Sequence, residues 1–453
     1  MKNWQEFKNF FNRKFNGYTK IAIKNSVYSS ATTIIEKIGA MFFVIIMARI
    51  LMPELFGFYS LALSTILLFI SLSGLGVGET LVVFVSKALG KNKQSTAKSY
   101  VLYLAKIKIV ILSIILIIFG ISSKLISQIY DKPIFLALLA GLLYILIVGI
   151  VGFVQLFFIS INNFKVIFFR QFLFQVLRLI LAPILVLYSL KHFSSEVSIS
   201  IVILSLSFVW FLSLLFLIFF IKRVPFLKVK GKKLQKKEKK KINKFVVGLS
   251  ILSLSGLFFG YLDIIMLGKF VLSNFIGYYQ AAYILIGSFA SLCFFSSVLL
   301  PIFSRIKGKQ LERGFKKSLK IIFSISLISF IFILIFAPII IKIIYGVNYL
   351  NSINLLRLLS LLLVSLPLIT LYTSYFISIG KIKTITKLLL ISILTNISLN
   401  YLFIVNLIKY GEIFAVFGVC IATIISKYFY LSGLMISRRK WRKNEFQKIP
   451  KKS

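Results

Sequence analysis

Residues 49–62 read Arg49-Ile-Leu-Met-Pro-Glu-Leu-Phe-Gly57-Phe-Tyr59-Ser-Leu-Ala62, and a related stretch begins 220 positions later. That second stretch, residues 269–282, reads Lys269-Phe-Val-Leu-Ser-Asn-Phe-Ile-Gly277-Tyr-Tyr279-Gln-Ala-Ala282 and aligns without gaps. Three shorter matches keep the same order and nearly the same shift: Ser86-Lys87 with Ser304-Arg305, Ile129-Tyr130 with Ile344-Tyr345, and Phe158–Ile161 with Phe376–Ile379. Matches in the same order and nearly the same register indicate that the two halves of the chain form an internal repeat.

Long apolar runs separate these motifs. The 453 residues are 59% hydrophobic and 15% charged, and runs such as Val197–Ile221 and Ile321–Ile341 carry no charged residue. Because about 20 residues cross the hydrocarbon core of a bilayer as a helix, such runs predict membrane spans. We predict an all-α polytopic membrane protein of about twelve transmembrane helices: 25–49, 57–85, 99–121, 134–160, 167–189, 197–221, 245–268, 275–302, 318–341, 353–379, 384–406 and 411–437.

The basic residues give the orientation of these spans. The formal net charge is +44, but the lysines and arginines lie in short stretches between apolar runs, without a nucleic-acid-binding motif. With the N-terminus inside, 42 of the 55 basic residues fall in inner segments, and six in outer loops. This asymmetry predicts a multi-pass protein of the cytoplasmic membrane with both termini in the cytoplasm, and it argues against nucleic acid as a partner.

The repeat and the charge pattern together predict the domain organisation. A basic, aromatic cytoplasmic segment (1–24) precedes an N-lobe of spans 1–6 (25–221); a lysine-rich linker (222–244), a C-lobe of spans 7–12 (245–437) and a basic tail (438–453) follow. The linker is interpreted either as an orientation signal lying on the leaflet or as a regulatory, partner-binding segment. An even number of spans in each half gives both lobes the same orientation, an architecture typical of transporters.

Three stretches also resemble a known family. Ala48–Ala62, the run Gly74-Leu-Gly-Val-Gly78, and Asp263-Ile-Ile-Met-Leu-Gly268 followed by Ile276–Tyr279 resemble the polysaccharide (oligosaccharide) flippases. These belong to the multidrug/oligosaccharidyl-lipid/polysaccharide exporter superfamily, and the resemblance covers roughly residues 20–437. It implies two six-helix lobes in a V shape and the flipping of a polyprenyl-(di)phosphate-linked oligosaccharide for glycan biosynthesis.

The resemblance further implies an ion gradient as the energy source, with H⁺ or Na⁺ as the coupling ion and no other cofactor. The chain agrees in having no GxxxxGK[ST] nucleotide loop. The implied partners are the lipid-linked oligosaccharide, membrane lipids and, as a further option, glycan polymerase or ligase machinery.

Charges inside predicted spans are the candidate site residues, because each costs about 2.5–3.5 kcal/mol to insert. Arginine forks suit phosphate, so Arg178 and Arg357 are predicted substrate contacts, with pairing to a buried acid as the alternative. Lys427 is a third predicted substrate contact in the cavity. Lys37 either lines the same cavity or pairs with an acid, and Arg49 either reaches the lipid headgroups or forms an outer phosphate-release site.

The acids in the spans are candidates for ion coupling. Asp263 either binds the coupling ion or forms a structural ion pair. Glu36 lies on one helical face with Ser29 and Thr32, which indicates either an inward polar face or a helix–helix seam. Glu79 follows the glycine run and is either an ion site or a packing partner.

Other function classes leave weaker signals. A cation-coupled drug exporter of the same superfamily stays an alternative, as does a polyprenyl-linked glycosyltransferase or polymerase, although the short outer loops hold no paired carboxylates. A channel or scaffold is disfavoured by the repeat. The cysteines Cys293 and Cys420 and the single histidine, His192, have no metal or triad spacing, so we expect a transporter rather than an enzyme, without a metal site.

Overall fold

The computed structural model describes residues 17–257, 261–292, 299, 303, 306 and 308–447. Within these residues the chain is helical and contains no strand, and nine helices are long and apolar enough to span a membrane. The predicted all-α polytopic class is thereby confirmed. Most of the N-terminal segment, the end of the basic tail and parts of predicted spans 7 and 8, including Cys293, lie outside the described residues.

The first half of the chain, up to Ile221, forms six helices that follow predicted spans 1–6. Their bounds are α1 Gly17–Gly74, α2 Val77–Leu89, α3 Gln94–Tyr130, α4 Phe135–Ser160, α5 Phe164–His192 and α6 Ser195–Ile221. Helix α1 consists of two helical segments that meet at Met52 (φ 58°, ψ 170°) and Pro53, and this junction lies within the boundary predicted between spans 1 and 2. Proline has no backbone N–H to donate and restricts the residue before it, so the first helical segment ends at this point and a second one begins.

The second half follows predicted spans 7–12. Its helices are α7 Lys236–Leu257, α8 Leu262–Phe270, α9 Ser273–Leu292, α10 Gly308–Ile344, α11 Ser352–Leu359, α12 Leu362–Ser378, α13 Ile382–Leu407 and α14 Glu412–Gln447. Helix α7 begins at Lys236, so the predicted linker 222–244 is partly the first turns of α7. Predicted span 10 is interrupted at Ser360 and Leu361, which separates α11 from α12.

The repeated motif is where the two halves touch most closely. A Cβ atom on Gly57 would lie 1.8 Å from the carbonyl oxygen of Ser273, and one on Gly277 would lie 2.1 Å from that of Pro53. Pro53 and Ser273 are equivalent in the repeat, as are the two glycines, so the contact is reciprocal. We call these four residues the glycine crossing. Only glycine allows the two backbones to approach this closely.

Predicted span 2 is broken at its middle, between α1 and α2. Leu75 and Gly76 have φ values of 24° and 64°, and the free carbonyl of Leu75 accepts a hydrogen bond of 2.8 Å from Ser250 of α7. A Cβ on Gly76 would lie 2.8 Å from the backbone nitrogen of Ser250. The break therefore forms a second close contact between the halves, away from the glycine crossing.

Candidate functional site

The first half contains a buried group of cationic, amide and aromatic side chains on and around α5. Arg178 lies with its guanidinium carbon 4.5 Å from the centre of the Phe43 ring and 5.3 Å from that of Phe174. Its Nε and Nη2 atoms are buried and have no hydrogen-bond partner among the described residues. A guanidinium held by aromatic faces with donors unused is prepared to bind an acceptor.

Arg170 lies on the same helix, two turns before Arg178, and is only 2% exposed. Its Nη1 donates to Ser213 at 3.3 Å, its Nη2 donates to Gln171, and its guanidinium lies 5.4 Å from the Trp210 ring. Arg170 is not among the predicted site residues, but α5 begins at Phe164 and carries this side chain into the bundle. Arg170 and Arg178 with Gln175 are called the arginine cluster below.

Helix α1 closes the arginine cluster on one side. Gln175 donates through Nε2 to the backbone carbonyl of Glu36 at 3.1 Å, and Gly39 gives the Gln175 side chain its space. The Glu36 carboxylate is exposed but interacts electrostatically with both arginines. The structure therefore brings two predicted residues, Glu36 and Arg178, into one site. Neither forms a salt bridge, since the ion pair found in the described part of the chain joins Arg438 to Glu312.

The second half contains a buried carboxylate with a complete set of donors. Asp263, 4% exposed, accepts hydrogen bonds from Tyr279 (2.7 Å), Asn400 (2.7 Å) and Thr423 (2.8 Å). Asn400 also donates to Asn396 at 3.4 Å. These five residues, contributed by α8, α9, α13 and α14, are called the Asp263 cluster. Three donors offset the cost of burying the carboxylate.

One acceptor in the Asp263 cluster is unused. The Oδ1 atom of Asn400 is buried and has no partner among the described residues. With the carboxylate and the Thr423 hydroxyl it presents oxygen atoms, which are the ligands that hard cations prefer. Lys427 follows Thr423 by one turn of α14, is partly buried, and has Asp263 as its electrostatic partner. The arrangement fits a small cation or a proton.

The remaining predicted residues lie elsewhere. Arg49 donates to the carbonyls of Ile343 and, at 2.7 Å, Ile344, so it binds the C-terminal end of α10 beside the glycine crossing. A cation suits this helix end, where carbonyls are free. Lys37 is exposed. Arg357 is exposed on α11, bonded only to Asn354 at 3.4 Å among the described residues, and belongs to neither cluster.

Glu79 lines a small cavity of about 200 Å³ that also contains Lys108. The Lys108 amine donates to the carbonyl of Ser73 at 2.6 Å and to its hydroxyl at 3.1 Å. Lys108 thus binds a free carbonyl near the break between α1 and α2, and Glu79 is its electrostatic partner. Lys108 is absent from the predicted site residues, although it lies inside predicted span 3 and meets the criterion of a charge within a span.

The amides of the Asp263 cluster are also absent from the predicted site residues. Asn396 and Asn400 are spaced four residues apart on α13, which places them on one face. A search for uncharged polar pairs at helical spacing would find them. Their association with Asp263 is not predictable from the sequence, because it depends on how α13 packs against α8.

Comparison with solved structures identifies the fold. The chain superposes on an inward-facing multidrug resistance MATE family transporter of the MOP superfamily (TM-score 0.72, 16% identity, 94% of this chain and 99% of that chain). It also superposes on the lipid II flippase MurJ in an inward closed conformation (TM-score 0.67, 19% identity, 91% and 87%). An outward-facing MATE family transporter gives a TM-score of 0.57 at 18% identity, with 93% and 95% covered.

These likenesses confirm the predicted two-lobe V-shaped architecture. No curated protein matches the chain in sequence. The profile of the family described as "Polysaccharide biosynthesis protein" matches residues 22–307. The chain therefore belongs to this polysaccharide biosynthesis family and is a multi-pass membrane protein with the fold of the MATE transporters and MurJ.

Proposed function

We propose that the protein flips a polyprenyl-(di)phosphate-linked oligosaccharide across the cytoplasmic membrane by alternating access between its two lobes. The observation that carries this proposal is the pair of guanidinium nitrogens of Arg178 that have no partner among the described residues. Buried donors without partners are unfavourable, and a phosphate oxygen is the acceptor that an arginine fork matches best. The membership of a polysaccharide biosynthesis family supports a sugar-bearing substrate.

The two arginines favour an anionic substrate over a cationic drug. Arg170 is buried, and no carboxylate neutralises it or Arg178 directly among the described residues. A cationic drug entering this site would meet two like charges, which a weakly polar interior screens poorly. The arginine cluster therefore supports substrate binding in the first half, and the drug-exporter alternative is less well supported.

The Asp263 cluster is proposed as the ion-coupling site, for Na⁺ or H⁺. Its oxygen atoms fit Na⁺, and its single carboxylate could equally hold a proton between Tyr279 and Thr423. Occupation by a cation would neutralise Asp263 and weaken its electrostatic attraction for the Lys427 amine. A change of charge balance at the junction of α8, α13 and α14 can shift the equilibrium between two conformations of the lobe.

The test is flipping in liposomes made with the purified protein and a fluorescent polyprenyl-diphosphate sugar. A membrane-impermeant quencher reports how much probe reaches the outer leaflet. We expect protein-dependent redistribution that an imposed Na⁺ or proton gradient accelerates. No redistribution by folded protein would reject the flippase proposal, whereas redistribution without any gradient response would reject only the coupling site.

A further inference from the structure

A cleft at the basic end of the molecule has no part in the function proposed above. We define the basic end by the loop between α2 and α3 and the segment that joins α6 to α7. The cleft has a volume of about 420 Å³, within the range of about 300–1,000 Å³ typical of ligand pockets. It shares no residue with the arginine cluster or the Asp263 cluster.

Lysines from both halves of the chain converge on this cleft. Lys87, Lys91 and Lys93 come from the α2–α3 side, and Lys232 and Lys241 come from the linker and α7. One acid, Glu238, also lines the cleft; its carboxylate already accepts a hydrogen bond of 3.1 Å from the backbone of Gln235. Five cations around one concavity repel one another, and an anion in the cleft would relieve that repulsion.

The cleft is built by specific contacts and is not a chance gap under a loose linker. Ser95 donates to the carbonyl of Lys230 at 2.9 Å, and Ser99 donates to that of Lys232 at 2.5 Å. These two bonds hold the linker backbone against α3. On the inner wall, Phe84 packs edge-on against Phe245 with ring centres 5.5 Å apart. The lysines are therefore carried by a fixed frame with an apolar floor.

We propose that this cleft binds a phosphate-bearing anion, either the headgroup of an anionic phospholipid or a soluble phosphate compound. Lysine ammonium groups bind phosphate as point charges and adapt to its orientation, which suits a site that several segments share. The apolar wall of Phe84 and Phe245 would contact the glycerol and first acyl carbons of a lipid. A soluble pyrophosphate would use the lysines alone.

A bound anion bridges the two halves at the basic end. Lys91 belongs to the first half, whereas Lys241 stands on α7, the first helix of the second half. An anion that contacts both lysines stabilises the conformation in which α2 and α7 are packed together, since it binds that conformation more tightly than one in which they separate. The linker would then be a regulatory segment as well as a connector.

The test compares two triple variants of the full-length protein with equal changes of charge. The cleft variant is Lys91→Gln/Lys232→Gln/Lys241→Gln, and the control is Lys236→Gln/Lys237→Gln/Lys240→Gln, whose lysines are exposed and do not line the cleft. Binding is measured by the shift of the thermal unfolding midpoint on titration of inorganic pyrophosphate in detergent. A parallel arm compares nanodiscs of phosphatidylglycerol with nanodiscs of phosphatidylcholine.

We expect the wild type and the control to bind at least one of the anionic probes, and the cleft variant to bind it at least about tenfold more weakly, the equivalent of one lost charge-assisted hydrogen bond. Stabilisation by pyrophosphate identifies a soluble ligand, and stabilisation by phosphatidylglycerol alone identifies a lipid. Equal weakening of control and cleft variants, or no response of the wild type to either probe, would overturn the proposal.

A charge-preserving variant guards against a folding defect. Lys91→Arg/Lys232→Arg/Lys241→Arg keeps the positive charge at all three positions, so we expect it to bind within about threefold of the wild type, because arginine also binds phosphate. If this variant loses binding as completely as the glutamine variant, while both unfold at the wild-type midpoint without ligand, the lysine charges are not the cause and the proposal fails.

Discussion

The two halves of the chain place opposite chemistry at equivalent positions of one framework. Phe43, which lies under the guanidinium of Arg178, corresponds in the repeat to Asp263. Arg178 itself corresponds, at the shift of 218, to Asn396, and Tyr59 corresponds to Tyr279. The first half therefore presents a cation on an aromatic ring, whereas the second half presents an anion held by hydroxyl and amide donors.

The charged groups of the two sites, Arg178 and Asp263, also differ in how many of their hydrogen-bonding atoms have partners. Within the described ranges, Arg178 keeps two buried nitrogens without partners, while Asp263 has a donor on each carboxylate oxygen. An unsatisfied group lowers stability but is ready to bind a ligand, and a satisfied group contributes to the fold. Under the proposed function, the unused donors of Arg178 await a substrate, whereas the Asp263 carboxylate already has its donors without a ligand.

The largest expected effect comes from Arg178→Ala. Loss of the unused donors should lower the flipping rate by about 100-fold, as for other single charge-stabilising donors. The thermal unfolding midpoint should stay the same or rise, because the change removes buried donors that no described residue satisfies. The matched control is Arg223→Ala, since Arg223 is exposed at the end of α6. A normal flipping rate in Arg178→Ala would remove this residue from the substrate path.

In the glycine crossing the two halves have equivalent residues and a reciprocal contact. Equivalent substitutions in the two halves should therefore change the flipping rate equally. A methyl group at Gly57 or Gly277 would lie within about 2 Å of a backbone carbonyl, so either alanine variant must push the halves apart. We expect flipping in Gly57→Ala and Gly277→Ala to fall by about tenfold each, because misplacement of about 1 Å has effects of this size or more.

The control for the glycine crossing is Gly287→Ala on α9, where an added Cβ meets no described atom within 4 Å. It should flip at the wild-type rate. Strongly unequal effects of Gly57→Ala and Gly277→Ala would contradict the reciprocity of the contact. Accessibility of a cysteine placed at Ser60, which is buried, should increase in both variants if the halves separate there.

The pairing of equivalent residues in the two halves can be predicted from the repeat. The burial of individual charged side chains cannot. The shift of 220 pairs Gly57 with Gly277 from the sequence alone. The burial of Arg170 is not predictable in this way, because it depends on how α5 packs against α6, where Ser213 and Trp210 contact the guanidinium. Arg357 lies in predicted span 10, and its side chain is exposed on α11, which the sequence does not reveal.

A smaller effect is expected from Asp263→Asn. The asparagine keeps the shape and one acceptor of the carboxylate but cannot be neutralised by a cation, so basal flipping should remain within a few-fold of wild type. The acceleration by an imposed ion gradient should disappear. Glu54→Gln, a change at an exposed acid, is the control and should keep the gradient response. An unchanged response in Asp263→Asn would reject the coupling assignment.

Removing the whole carboxylate of Asp263 tests how much its hydrogen bonds stabilise the second half. Asp263→Ala leaves the donors of Tyr279, Asn400 and Thr423 without an acceptor, at a cost of about 1–3 kcal/mol for each unsatisfied group. The unfolding midpoint should therefore fall clearly below that of Asp263→Asn. Equal midpoints for the two variants would mean that the hydrogen bonds to Asp263 contribute little to stability.

The smallest effect is expected from Arg357→Ala. This variant tests whether an exposed arginine in the second half contributes to flipping as the buried Arg178 does in the first half. In the described part of the chain, Arg357 has a single weak hydrogen bond to Asn354, at 3.4 Å, and its side chain is exposed. Exposed polar contacts of this kind contribute little, so flipping should stay within about twofold of wild type. A defect as large as that of Arg178→Ala would show that α11 turns Arg357 toward the substrate during the transport cycle, and would make the second half a phosphate-binding partner of the first.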